Sequence, residues 1–578
     1  MRASTSGYPL CIQAINIHWR HDVTGVKQGD WVAAAADQVI AEGKRRGPDT
    51  PLVCASGISP SGPIHLGNLR EIMVPHFIAD ELLRRGLDCK HILSWDDYDR
   101  LRKVPAGQPD SFAEYLGRPL TSVPDPCGEH ENWAEHFKEP FRAALAELGV
   151  EIVEISQTQM YTTGAYREQI LHAMRNRTRI DAVLGRYRTA KKAEDSDVED
   201  DDEPDDTAVG AEYYPYKPYC AVCGRDTTTI TAFDENTTRI AYTCQCGHVD
   251  GFELNHVNGG KLVWKVDWPM RWAFEGVTFE AGGVDHSSPG SSFTVGSQLV
   301  REIFDGQPPA YLGYSFVGTS GGAAKMSGSV GGAPTPTNAL QIIEAPLLRW
   351  LYARRKPNQA ITVAFDQDVS RLYDEWDALG RKIEAGKAEA GDLAVRARSI
   401  GSATRTLPTT ERALPFRTLA SVVDITTGDD EQTLRILRDF TVEEPLESLD
   451  QARPRLDCAQ AWIAGYVPAD ERTQVRHEPD VERLEQLTPA ERESIKLLLD
   501  GLDDHWSLPE LTELVYGVPK LQAGLMLDAP PTQELKTAQR ALFSLLYTLL
   551  VGRNTGPRLP TLLLALGAGR IRTLLTTP

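Results

Sequence analysis

Three groups of residues in this 578-residue chain have the types and spacing to do chemistry. Cys220-x-x-Cys223 and Cys244-x-Cys246 are two thiolate pairs, separated by twenty residues rich in Thr and β-branched types. Two such knuckles on hairpin-like turns supply the four sulfurs of a tetrahedral Zn²⁺, and they predict a zinc ribbon. His248 competes for one position, in place of Cys246. Four protein ligands close the sphere, so the ion would be structural. The second group lies in SGISPSGPIHLGN, where Gly57, Gly62 and Gly67 allow close backbone approach and His65 and Asn68 are neutral donors to phosphoryl oxygens. The third is Gly282-Gly283-Val284-Asp285-His286, followed by a Gly/Ser-rich stretch, 312–332, with the single lysine Lys325. Asp285 suits ribose hydroxyls, and glycines would let Lys325 swing onto a phosphate. Trp264 and Trp268 either wall a pocket for an aliphatic chain or are core aromatics. Each group has a plainer reading: turn glycines, a solvated lysine, buried free cysteines.

These residues need elements to position them. Leu52 to Ala55 reads as a strand, followed by a turn and a helix with apolar Leu69, Ile72, Met73, Phe77, Leu82 and Leu83 on one side. Gly86 stops it before a second apolar run, completing a βαβ unit whose loop and helix amino terminus favour phosphate. SWDDYDRLRKVP then stands at another strand's carboxyl end, so Asp96, Asp97, Tyr98, Asp99 and Arg100 are expected to face the same ligand space. A carboxylate there would pair with a substrate ammonium. Helix Asn132 to Leu148, strand Glu151 to Ile155 and an arginine-bearing helical stretch from Tyr166 to Tyr187 follow. From Asn338 onward the pattern is helical, with capping boxes at Thr488-Pro-Ala-Glu491 and Ser507-Leu-Pro-Glu510. Arg553, Arg558, Arg570 and Arg572 are either RNA contacts or helix-end charges.

Domain boundaries follow from these patterns. Residues 1–28 form a tail, 29–160 the first half of an α/β domain, and 161–260 an insertion with an acidic run at 194–206 and the ribbon at 217–250. The sheet domain resumes at 261–345, and 346–578 is all-α. Half of the net charge of −20 sits in the acidic run, which holds ten acidic residues and no basic one, so a local basic surface for nucleic acid is not excluded. No segment approaches the roughly 18 apolar residues that span a bilayer, and no signal-peptide pattern is evident, so a cytoplasmic protein without membrane partners is expected. Nine cysteines, an odd number, argue against a disulfide framework; Cys11, Cys54, Cys89, Cys127 and Cys458 read as small buried apolar residues.

Taken in order, the motifs resemble a known family. His65-Leu-Gly-Asn68 resembles the HIGH motif of class I aminoacyl-tRNA synthetases, and Lys325-Met-Ser-Gly-Ser329 resembles their KMSKS loop. With GGVDH between them, and with ASGISPSGPIHLGN, SWDDYDRLRKVP, the cysteine cluster and KVDWPMRW, the chain from Asp49 onward is similar to the class I lysyl-tRNA synthetases. The resemblance implies a Rossmann-type catalytic domain interrupted by the zinc-ribbon insertion and followed by a helix-cage anticodon-binding domain. It implies ATP with Mg²⁺, L-lysine and tRNA(Lys) as partners, structural Zn²⁺, and transfer to the terminal 2′-hydroxyl. It makes His65, Asn68 and Lys325 catalytic, and Gly62, Gly67, Gly283, Asp285, Lys325, Ser327 and Ser329 ATP-binding. Gly57, Ser59, His286 and one or both of Trp264 and Trp268 would hold lysine, with Asp97 on its ε-ammonium. Gly328 and Val330 stand where further lysines are expected, which would weaken pyrophosphate stabilisation. Rival readings are a ligase for another amino acid such as glutamate, whose site would want arginines, and a tRNA-binding paralogue with impaired catalysis.

Overall fold

The computed structural model describes residues 30–188, 212–286, 291–319, 332–426, 429–441, 444–527, 529–530 and 532–577. The expected tail at 1–28, the acidic run at 194–206 and the stretch carrying Lys325, Ser327 and Ser329 lie outside them.

Helix α1 (Trp31–Arg46) starts where the Asp30 carboxylate accepts from the Val32 backbone N–H. It leads into the centre of a five-stranded sheet. Strand β1 (Leu52–Ile58) pairs in parallel along its length with β2 (Cys89–Trp95), which pairs with β3 (Val153–Ser156). On its other side β1 pairs with β9 (Phe279–Gly283), and β9 with β10 (Ala310–Tyr314), again in parallel. The order β10-β9-β1-β2-β3 reverses direction between β1 and β9. In an open parallel sheet, that switch point leaves a crevice at the strands' carboxyl ends.

Side-chain alternation divides the sheet's two faces. Cys54, Ile58 and Leu93 pack with Leu69, Ile72, Met73 and Phe77 of α2 (Leu66–Arg84). Val53, Ala55 and Ile92 pack with Trp268 and Trp272 of α7 (Trp264–Glu275) and Val300 of α8 (Ser292–Glu302). Helix α2 is not one-sided as its apolar spacing suggests. Arg70, His76 and Asp80 are buried as well, because α1 and α10 (Ala345–Ala353) cover the side away from the sheet, while Leu83 is 39% exposed.

Between β2 and β3 lies α3 (Trp133–Glu147). After β3 the chain leaves the sheet through α4 (Gln157–Thr162), α5 (Arg167–Arg175) and α6 (Arg177–Arg188). It then forms β4 (Tyr216–Pro218), the antiparallel meander β5 (Thr228–Asp234), β6 (Arg239–Cys244) and β7 (Val249–Glu253), and β8 (Gly260–Leu262), which pairs with β4. Arg177 pairs with Glu212 and Glu235 at 2.7 and 2.8 Å.

Strand β11 (Val317–Thr319) pairs in parallel with β12 (Ile361–Val363), and α9 (Pro336–Ile342) precedes α10. Among the described residues every regular element after β12 is helical. Both capping boxes form, at Thr488 with Glu491 and at Ser507 with Glu510. The last apolar run divides at Gly567, whose φ of 80° ends Leu559–Leu566 before Ala568–Leu575 begins. Three of the arginines near these ends donate to backbone carbonyls: Arg553 to Asp470, Arg570 to Arg476 and His477, and Arg572 to Leu499. One buried cluster continues from α1 and α2 to Leu575, so the helical region shares its core with one face of the sheet. No helix among the described residues is long and apolar enough to cross a membrane.

Candidate active site

The switch point holds a small cavity of about 50 Å³, open at its mouth. Ser56 and Gly57 line it from β1, Glu71 from α2, and Glu280 and Gly282 from β9, with His286 just beyond. Trp264, Trp268, Arg271 and Glu275 close it from α7. Thus Gly57, Trp264, Trp268 and His286, expected to hold lysine, share one wall system. Ser59 lies just past β1 and is exposed.

The aromatic wall is ordered by hydrogen bonding. Trp264 stacks on Trp268 with ring centroids 5.3 Å apart and planes 14° apart, and Trp268 meets the His286 ring edge-on at 6.0 Å. Trp268 donates its indole N–H to Glu280 at 2.9 Å, and Trp272 donates to the other oxygen of the same carboxylate. The Trp264 indole N–H is buried without a partner among the described residues. A Cβ on Gly57 would meet only ordinary contacts, Asp96 Oδ2 at 3.8 Å and Ser94 O at 3.9 Å, so the missing side chain leaves ligand space. At Gly282 a Cβ would collide with the Tyr311 ring, so that glycine serves packing.

Burial dominates the electrostatics. It pushes the Glu71 carboxyl up to about 8, with the Glu280 charge adding, against the opposing pull of Tyr314 O–H and Gly57 N–H. Burial likewise raises Glu280 to about 7 against two indole donors, and Asp96 to about 6 against Arg271.

His65 and Asn68 form a reciprocal cap at the amino terminus of α2. Asn68 N donates to His65 Nδ1 at 3.3 Å, and His65 N donates to Asn68 Oδ1 at 3.2 Å. An accepting Nδ1 leaves the ring proton on Nε2, and Asn68 keeps its NH₂ as donor. Gly62 lies in the turn before this helix and Gly67 in its first turn, where the helix dipole favours anions. Gly283 ends β9, and Asp285 follows in the short 3₁₀ turn Val284–His286, its side chain outside the described part.

The acidic loop after β2 behaves differently from expectation. Asp97 is 1% exposed and does not line the cavity; it accepts from Lys138 Nζ at 2.6 Å, Ser156 Oγ at 2.7 Å and Thr158 N at 2.7 Å. Asp99 pairs with Lys261, Arg100 with Asp226 at 3.0 Å, and the Tyr98 carbonyl accepts from Tyr219 O–H at 2.6 Å. This loop fastens the insertion to the sheet. The carboxylates that do reach the cavity, Glu71, Glu275 and Glu280, sit in apolar-looking helix and strand sequence and carry no local motif.

Among the described residues, two groups are metal-competent. The sulfurs of Cys220, Cys223, Cys244 and Cys246 all lie within 4.8 Å of one another, with Cys220–Cys246 at 3.7 Å and Cys223–Cys244 at 3.6 Å. Four sulfurs at about 2.3 Å from one tetrahedral ion stand about 3.8 Å apart, so the set fits Zn²⁺. His248 is outside that set, its Nε2 being 3.6 Å from the Asp250 carboxylate. The second group, Asp125, Cys127, His130 and His136, offers mixed oxygen, sulfur and nitrogen donors within the same 4.8 Å limit. Cys127 is exposed, in contrast to its reading as a buried apolar residue. His130 turns Nδ1 to Asp125 at 3.1 Å and Nε2 to Glu139 at 2.9 Å, the pattern of a ligand oriented by an outer carboxylate. The sequence signal was Asp-x-Cys-x-x-His-x₅-His, lost because each residue looked isolated.

Comparison with known proteins accords with this geometry. The family model described as tRNA synthetases class I (K) matches residues 29–400. The chain is 58% identical over 569 residues to the lysine–tRNA ligase of Streptomyces coelicolor, covering 94% of this chain and 98% of that one. It is 32% identical over 549 residues to the lysine–tRNA ligase of Pyrococcus horikoshii, with 93% and 97% covered. To that of Treponema pallidum it is 30% identical over 555 residues, with 94% and 98% covered. A parallel sheet with its cavity at the switch point, a capped His-x-x-Asn helix start beside it and identity across almost the whole chain place this protein in the class I lysyl-tRNA synthetase family.

Proposed function

We propose that the protein is an ATP-dependent lysine–tRNA ligase that charges tRNA(Lys) through a lysyl-adenylate. The observation that carries this reading is 58% identity to a lysine–tRNA ligase across 94% of the chain. The lysine carboxylate oxygen attacks the α-phosphorus of ATP, the bond from that phosphorus to the α,β-bridging oxygen breaks, and pyrophosphate leaves; Mg²⁺ bound with ATP would supply countercharge to the phosphates. The terminal 2′-hydroxyl of tRNA then attacks the lysyl carbonyl carbon, and AMP departs. Charge grows on phosphoryl oxygens in the first step, so catalysis consists of positioning plus fixed donors. His65 Nε2 and the Asn68 NH₂ serve as such donors, and Lys325 as the cation over the phosphates. Gly62, Gly67, Gly283, Asp285, Ser327 and Ser329 hold ATP, while Gly57, Ser59, Trp264, Trp268 and His286 hold lysine. The helical region reads the tRNA as an anticodon-binding domain.

A structural Zn²⁺ held by Cys220, Cys223, Cys244 and Cys246 makes the β5–β7 meander a zinc ribbon. Asp125, Cys127, His130 and His136 hold a second divalent ion that fixes the chain entering α3. Lysine-dependent exchange of pyrophosphate into ATP, measured with tRNA(Lys) present, tests the reaction; absence of exchange with lysine overturns it.

A further inference from the structure

Most carboxylates around the crevice already have a cation. Asp96 and Asp267 share Arg271 at 2.8 and 2.7 Å, Asp97 has Lys138 at 2.6 Å, and Asp99 has Lys261. Glu275, at the far end of α7, lies in the field of Arg271. Glu71 and Glu280 have no ion-pair partner among the described residues. Glu280 is 6% exposed and holds only the two indole donors, while Glu71 takes a 3.4 Å contact from Gly57 N and a 3.1 Å hydroxyl bond from Tyr314. Both line the cavity from opposite sides of the switch point, one on α2 and one on β9. Carboxylates enclosed in this way, Glu280 buried and Glu71 half-buried, are unfavourable without a paired cation unless protonated or matched with a ligand's charge.

We propose that Glu71 and Glu280 together receive the ε-ammonium of the substrate, while the stacked Trp264 and Trp268 flank its four-carbon stem. The assignment rests on the lysine-ligase reading above. An ammonium has three donors, and the pair offers it lone pairs left over from weak or neutral partners. Indole faces cover methylene groups and attract the adjoining cation. Glu280 is aimed by its two indole bonds, so the aromatic wall and the charge receptor are one assembly. The only arginine lining the cavity among the described residues, Arg271, pairs with Asp96 and Asp267, and its charge also reaches Glu280.

Proton uptake follows from the same pair. Burial lifts both carboxyls, Glu71 to about 8 and Glu280 to about 7, so near neutrality the empty cavity carries protons that the ammonium must displace. Raising the pH from 6 to 8 removes most of the Glu280 protons and about half of the Glu71 protons beforehand, so lysine binds more tightly, by at most about tenfold per pH unit for each proton displaced. The other charged or titratable groups facing the pair are Asp96, Arg271, Glu275, His286 and Tyr314.

The test is calorimetric binding of L-lysine and L-norleucine, which lacks the ammonium, to the full-length protein at pH 7 in buffers of different ionisation heat. Wild type should release about one to two protons per lysine bound and prefer lysine to norleucine. Glu71→Gln and Glu280→Gln should each weaken lysine binding by roughly thirtyfold or more, release fewer protons and lose preference over norleucine. Zero proton release by wild type, or Gln variants with wild-type lysine affinity, overturns the assignment. Should a variant fail to fold, the wild-type proton count still decides. Lysine-dependent pyrophosphate exchange by the same preparation separates the two readings: normal exchange with zero proton release removes only the Glu71–Glu280 receptor, whereas no exchange removes the ligase.

Discussion

Asp97→Asn separates a structural carboxylate from a substrate-binding one. Asp97 is 1% exposed and Lys138 2%, and they meet at 2.6 Å with Ser156 Oγ and Thr158 N as further donors at 2.7 Å. Breaking a buried pair costs about 3–5 kcal/mol when the surviving charge is stranded. Here Lys138 keeps Glu135 at 2.8 Å, whose side chain is 28% exposed, which places the loss near the lower end, at about 3 kcal/mol. With an m-value on the order of 3 kcal/mol/M, the urea midpoint of the first unfolding transition falls by about 1 M. The lysine KM in pyrophosphate exchange, measured well below that transition, should stay within about twofold of wild type, because a group outside the cavity adds no differential binding. A KM raised tenfold with an unmoved urea midpoint would refute this and return Asp97 to the ε-ammonium.

Other consequences are equally direct. Lys325→Ala should lower the exchange rate on the order of a hundredfold while leaving tRNA(Lys) affinity in a filter assay nearly unchanged, and an unchanged rate would strip Lys325 of its role. Metal analysis should find two divalent ions per wild-type chain and one after either Cys223→Ser or His136→Ala; equal content in wild type and variant rejects the corresponding centre. Burial lowers His91 to about 3 and holds His76 well below its ordinary value, so both are neutral in the fold. Their contribution is present above the unfolded value near 6.5 and is lost as pH falls toward 3, amounting to about 3 kcal/mol for the pair by pH 5.5. His91→Gln, which can keep the 2.8 Å bond to Ser56, should flatten the acid limb of a stability–pH curve; an identical limb contradicts it.

The first two strands of the sheet were legible as short apolar runs on either side of a capped helix, and His65 and Asn68 because a helix start is a local device. The cysteine quartet was legible because each pair sits on one turn. Long-range partnerships were not. Asp97 and Lys138 are 41 residues apart, and nothing in SWDDYDRLRKVP says which of its charges turns inward. Glu71 follows Arg70 in an ordinary helical pattern, and Glu280 precedes only Ala281, Gly282 and Gly283 in the interior strand β9. Their significance lies in what surrounds them, which composition does not record. The apparent one-sidedness of α2 failed for a related reason: polar His76 and Arg349 bond each other at 2.9 Å in the core, so polarity did not mark the outer face.

Strand β8 ends at Leu262 and helix α7 begins at Trp264, with Val263 alone between them. The insertion is therefore spliced directly into the helix that bears Trp264, Trp268 and Arg271, with no slack at its exit. One added residue at this join would turn α7 by about 100° and carry the tryptophans off the cavity. Length can be traded freely at the tip between β5 and β6, since antiparallel pairing re-closes around a longer turn, whereas the β6–β7 turn carries Cys244 and Cys246. Evolution or an engineer resizing this module is confined to its outer end, and grafting a foreign insertion would need the phase of α7 preserved before any of its chemistry could be judged.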